Sequence, residues 1–223
     1  ENVPYQASSK RLQAIVRTGE YIGELTFASL TKGFAAQHYG YEGRRAWLST
    51  PELGGSGAWL LNGIHSVAEL RFVLGEVATV YMQEHKASSF ERRDVEATMS
   101  GLLTLETGVP VWVTQTAETR IPHGLRGFGL YGDAGVVRAG VDGYEVYTKA
   151  LASEDAPRRF SYSEFPLSSY AQEMDAFADY VMTGRAGPTT ARSERRSLAI
   201  VQAGYESARS GLPVDLKARF GDL

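Results

Sequence analysis

The 223-residue sequence contains no cysteine. That absence excludes disulfide bonds, thiol nucleophiles and thiolate metal centres, and it selects neither an oxidising nor a reducing compartment. Long apolar runs are missing as well: nothing approaches the roughly 18 uninterrupted apolar residues of a membrane span. Neither sign of charge dominates. Lysine and arginine number 23 against 26 aspartates and glutamates, a formal net charge of −3, and the two signs are interspersed. No basic stripe exists to neutralise a nucleic-acid backbone or an anionic membrane, so neither is an expected partner. Histidine is scarce, with four, and no pair has metal-ligand spacing, so no metal is expected. The chain starts at Glu1 without a methionine or a basic-then-apolar leader, so either something upstream has been cut away or the sequence starts mid-protein. A cytoplasmic location is expected. What is present suffices for a packed core: 43% of residues are hydrophobic and 11% aromatic.

One stretch organises the rest. Residues 54–75, GGSGAWLLNGIHSVAELRFVLG, join a glycine cluster to the longest apolar segment. Gly54, Gly55 and Gly57 open backbone conformations closed to other residues, and Leu60, Leu61, Ile64, Val67, Leu70, Val73 and Leu74 recur at near-helical spacing. The pattern predicts a glycine turn feeding a mostly buried helix that stops at Gly75. Asn62, His65 and Glu69 then share one face, polar within an apolar helix.

Around it, SSKRLQAIVRT predicts a short amphipathic helix with serine caps ending at Gly19, and GELTFASLTKGF predicts a strand. Residues 35–53 have no period and predict a long loop of the kind that lines a site. Six strand-like segments follow the central helix: VATVYMQEHKA, VEATMSGLLTLE, VPVWVTQTAE, GLRGFGLYG, GVVRAG and YEVYTKA, separated by short turns. Residues 150–160 are charged and apolar-poor and predict a loop. Ser169 and Gln172 have capping-box spacing ahead of a helix carrying Met174, Phe177, Tyr180 and Val181, with Glu173 and Asp175 on its solvated side. A last helix runs from about Thr190 to Gly211, turning Leu198, Val201 and Tyr205 inward. The sum is an α+β domain: an open-faced, largely antiparallel sheet with helices packed on one face. Val111, Val113, Leu103 and Leu105 are the expected open face, available to a second subunit.

Gly127, Gly129 and Gly132 spell G-x-G-x-x-G, the spacing of a dinucleotide-binding loop. That loop works only between a strand and a helix N-terminus, and the residues that follow, DAGVVRAGVDGYEVY, have turn and strand character, so a hairpin is predicted and no nucleotide is expected on this chain.

The run GGSGAWLLNGIHSVAELRFVLG resembles the helix signature of the glucose-fructose oxidoreductase, inositol dehydrogenase and MocA (Gfo/Idh/MocA) family, in which a glycine triplet precedes G-I-H and a helix closing in L-L-G. The opening ENVPYQASSKRLQAIVRTGEYIGEL and the closing YAQEMDAFADYVMTG and SLAIVQAGYESARSGLPVDL are similar to the family's C-terminal domain, so the likeness covers nearly all of residues 1–223. It implies a substrate-binding and oligomerisation domain whose partner, an N-terminal Rossmann domain holding NAD or NADP, is absent from this chain. It implies a sugar, cyclitol or related polyol substrate, and a homodimer or homotetramer formed through the sheet face. His65 matches the family's histidine beside the reacting carbon, where an imidazole takes the alcohol proton. The polar residues the family often carries four before and three after that histidine are Leu61 and Ala68 here. Candidate substrate contacts are Tyr39, Arg45, Trp47, Asn62, Arg120 and His123, each also readable as a surface or loop residue. The competing reading is a non-catalytic binding or assembly module in which His65 is structural.

Overall fold

The computed structural model describes residues 1–34, 47, 50–54, 57–90, 94–151, 153–163 and 165–223, with only the backbone of 89 and 153–155. Tyr39 and Arg45, and most of the predicted 35–53 loop, lie outside the described residues; its end forms the short helix α2 (Pro51–Gly54).

The first helix, α1 (Ala7–Thr18), turns Leu12 and Ile15 inward and ends at Gly19 in a left-handed conformation. Gln6, not a serine, occupies its N-cap, with no side-chain bond. Strand β1 (Leu25–Gly33) follows and sends Ala28 and Leu30 to the helix side, both almost wholly buried. Among the described residues nine strands form one sheet: β1, β2 (Val77–His85), β3 (Thr98–Leu105), β4 (Pro110–Thr116), β5 (Gly127–Gly132), β6 (Val136–Ala139), β7 (Gly143–Thr148), β8 (Ser153–Ser161) and β9 (Val214–Asp215). Their order is β8-β7-β6-β5-β1-β4-β3-β2-β9. Within β2–β4 and within β5–β8 consecutive strands are neighbours and run antiparallel, and β1 inserts between β5 and β4. It is antiparallel to β5, with Leu30 opposite Phe128, and parallel to β4, with Leu30 opposite Val113. The G-x-G-x-x-G run is strand β5 itself, paired with β6 as a hairpin.

Helix α3 (Ile64–Leu74) and helix α5 (Ala191–Ser210) cover the sheet beside α1, and α6 (Leu216–Phe220) closes the chain. The core runs between them, from Leu12 and Ile15 through Val67, Leu70 and Val73 to Leu103, Val111, Val113 and Val201. As the sequence predicts, α5 starts beside Thr190 and ends at Gly211; Thr190 caps it in a reciprocal capping box with Ser193.

Four expectations are corrected. Residues 150–160 are not a loop: most of them form β8, at the sheet edge, where a charged strand meets no burial penalty. Val111, Val113, Leu103 and Leu105 are buried at 0–2% exposure, because the helices claim that parity; the open face belongs to their alternates, with Trp112 at 59% and Phe27, stacked on Tyr131, at 42%. The helix α4 (Ser169–Thr183) is capped by Ser168, one residue earlier than the pattern gives, and has no buried residue, so Met174, Phe177, Tyr180 and Val181 face outward. In α5, Leu198 is exposed while Val201 is buried.

Arg71 fastens α3 to α5. Its guanidinium, with the side chain only 7% exposed, donates to both Glu76 oxygens at 2.9 and 2.8 Å and to the Ser193 carbonyl and Ser197 hydroxyl. Burial pushes the Glu76 carboxyl up, but the bond and charge of Arg71 and the nearby Arg196 outweigh it and hold it below 4.5. A depressed carboxyl contributes stability that is present above its unfolded value and lost as pH falls through its folded one. Glu76→Gln is therefore expected to lower the thermal midpoint at neutral pH, with the gap to the parent closing below pH 4.5. A gap that persists unchanged into acid would mean the pair contributes through shape alone.

Candidate functional site

The glycine turn does not enter an α-helix directly. Trp59–Gly63 form a π-helical turn, one residue wider than an α-turn, and α3 begins at Ile64. Asn62 therefore sits in the wide turn, half-buried, and not on a common α-helical face with His65.

This turn is held from outside the helix. Glu96, buried at 8% exposure, accepts the Gly57 amide at 2.6 Å on one oxygen and the Trp59 amide at 2.8 Å on the other. The Tyr205 hydroxyl donates to Glu96 at 2.7 Å and accepts the Leu60 amide at 3.0 Å. Burial pushes the Glu96 carboxyl above its ordinary value, although Tyr205 and the two amides pull the other way. Gly57 is required for space: a Cβ there would lie 2.0 Å from the Glu96 carbonyl oxygen. Trp59 is fully buried beneath the turn, its indole donating to the Val201 carbonyl at 3.1 Å, and it fits because Gly204 of α5 presents no side chain; a Cβ there would lie 2.6 Å from Nε1. Ser66 ties the next turn to β4 through Gln115 at 2.8 Å.

On this support His65 stands outward, its side chain 54% exposed. Nδ1 lies 2.5 Å from a carboxylate oxygen of Glu1, whose own side chain is 9% exposed. Burial pushes the Glu1 carboxyl up, and the hydrogen bond and charge of His65 with the Val3 amide bring it below its ordinary value. A carboxylate on Nδ1 favours the tautomer with the proton there and leaves the lone pair on Nε2. One turn along α3, Glu69 is buried, accepting from the Ser9 hydroxyl at 3.0 Å and from the Lys32 ammonium.

The other candidates are dispersed. Trp47 is described and exposed, its carbonyl accepting the Thr50 amide. Arg120 is exposed beyond the end of β4. His123, 65% exposed, faces Asp142 at 3.7 Å beside a separate cavity of about 240 Å³ at the β6–β7 turn. His65 and Asn62 lie on consecutive segments, α3 and the π-helical turn, without a common face; Arg120 and His123 belong to another part of the sheet. Glu1, Lys32 and Glu96 were not among the sequence candidates. Lys32 had a signal, because it shares strand parity with the buried Ala28 and Leu30. Glu1 had none, since only the fold carries it to His65.

No group of three or more potential metal-ligating side chains occurs among the described residues, and no helix among them is long and apolar enough to cross a membrane. The family described as the GFO/IDH/MocA C-terminal domain matches residues 9–138, more than half of the chain. D-apiose dehydrogenase from Rhizobium rhizogenes is 24% identical over an alignment spanning 98% of this chain and 64% of that protein. An oxidoreductase from Agrobacterium radiobacter, solved with NAD+, L-tartaric acid and magnesium, superposes with a TM-score of 0.80 at 21% identity, covering 99% of this chain and 65% of that one. Levoglucosan dehydrogenase, solved with NADH and levoglucosan, gives 0.75 at 17% identity, over 96% and 64%. The chain thus spans about two thirds of the length of the relatives it matches.

Proposed function

The chain belongs to the GFO/IDH/MocA family through its C-terminal domain, and from that premise we propose that it is the substrate-side domain of an NAD(P)-dependent oxidoreductase acting on a hydroxyl or carbonyl of a sugar, cyclitol or related polyol. The observation that carries this reading is His65: an exposed imidazole on the helix that the family signature marks, with one nitrogen engaged by a carboxylate and the other open.

Nε2 accepts the proton of the substrate hydroxyl as the carbon bearing it becomes a carbonyl, and returns it in the reverse direction. Glu1 keeps the ring turned and balances the imidazolium that forms, the task for which the helix itself offers only Leu61 and Ala68. The run with the glycine spacing of a dinucleotide loop is a strand in a hairpin and opens no helix, so it does not form that loop. The nicotinamide nucleotide is assigned to the part of the relatives' length that this chain does not span. The open sheet face, where Trp112 and the Phe27–Tyr131 stack are exposed, is the surface through which a second copy would pair.

The test is nucleotide reduction by the full-length protein with a panel of sugars and polyols, followed at the absorbance of the reduced nicotinamide. Turnover with none of them, with either nucleotide, sinks the reading. Glu1→Gln keeps a hydrogen-bond acceptor but removes the charge, and is expected to lower kcat/KM by about tenfold; an unchanged value would remove Glu1 from the site.

A further inference from the structure

A cavity of about 150 Å³ opens between the first turn of α1, the end of β1, the start of β5 and the β6–β7 turn. Its polar lining is Gln6, Ser8, Lys32, Glu69, Arg126 and Tyr162. The charges do not cancel. Lys32 is matched by Glu69, which Ser9 also holds. Arg126, half-buried, has no carboxylate partner among the described residues. The turn of α1 that supplies Gln6 and Ser8 has no acidic residue, so its amide ends add to the positive potential. Tyr162 offers no anion: burial, and behind it the charge of Glu69, pushes its hydroxyl well up, and that hydroxyl donates to the Gly140 carbonyl at 3.2 Å. One positive charge is left over, on the side chain whose planar fork matches a carboxylate.

The cavity and the histidine are linked through α3, which carries His65 and supplies Glu69 to the cavity wall. Glu69 is four residues beyond His65, about 6 Å of helix rise, and the segment that places Glu1 against His65 continues into the Gln6–Ser9 stretch that meets the cavity and Glu69. We infer that this cavity receives the carboxylate of an acidic substrate against Arg126, so that the molecule presented to His65 is a sugar acid, an aldonate or uronate, in place of a neutral sugar. Calling that molecule a substrate rests on the oxidoreductase reading above; its binding does not.

Calorimetry on the full-length protein with D-gluconate and D-glucose separates the two. D-gluconate is expected to bind at least about tenfold tighter, one charge-assisted pair. Arg126→Ala should remove that preference while leaving the D-glucose affinity and the thermal midpoint within error, and Arg126→Lys should restore part of it. Equal affinities for the two sugars in the parent, or a D-gluconate affinity indifferent to Arg126→Ala, overturns the inference. A protein that oxidises neutral sugars normally and ignores Arg126 loses this inference alone. One that binds D-gluconate through Arg126 but reduces no nicotinamide keeps the site and loses the oxidoreductase reading.

Discussion

Replacing His65 with alanine is expected to lower kcat of the full-length protein by about 10²–10⁴-fold, the range for loss of a positioned general base. The thermal midpoint should move by less than the equivalent of about 0.5 kcal/mol, because a side chain 54% exposed contributes little packing and its bond to Glu1 is solvated on the His65 side. Stopped assays on parent and variant, with unfolding followed by circular dichroism, check both arms. KM is expected to change less than kcat, since proton transfer strengthens only as the hydroxyl bond breaks. Unchanged turnover would place His65 outside the chemistry.

The largest stability effect is expected at Trp59. Truncation to alanine removes a fully buried indole, opens a cavity beneath the π-helical turn and removes the indole's bond to the Val201 carbonyl. A loss of about 3–5 kcal/mol is expected, measured as a shift of the denaturant midpoint at unchanged slope. The turn that carries Asn62 and leads into His65 rests on that indole, so turnover should fall before global unfolding sets in. A variant within about 1 kcal/mol of the parent would mean that Gly204 and Gly63, both in close approach to the ring, let the neighbours collapse into the space.

Much of this architecture can be read from local pattern. Leu12 and Ile15 in α1, the span of α5 from about Thr190 to Gly211 and the strand character of residues 127–132 all follow from periodicity and turn chemistry. Errors arise where pattern gives a period but not a partner. In β3 and β4 the alternation is plain, yet which parity faces the helices depends on α3 and α5, and the expectation chose the wrong set. In α4 the apolar spacing identifies the helix, but none of its residues is buried against this chain. The edge strand β8 hides because strand propensity and charge give opposite signals there. At the site, His65 stood out by its place in the glycine-led run. Glu1 and Glu96 reach it from 64 residues away and from the strand side of the turn respectively, contacts that no local spacing encodes.

The place of β1 has a consequence for how the molecule comes together. Strands β5 to β8 form one meander and β2 to β4 another, and among the described residues β1 joins the two in the sheet and is made before either of them. Its partners at Leu30, Val113 and Phe128, leave the ribosome more than eighty residues later. The first strand of this sheet to be made thus waits longest for its neighbours, a long closure expected to slow assembly and to leave two raw sheet margins open meanwhile.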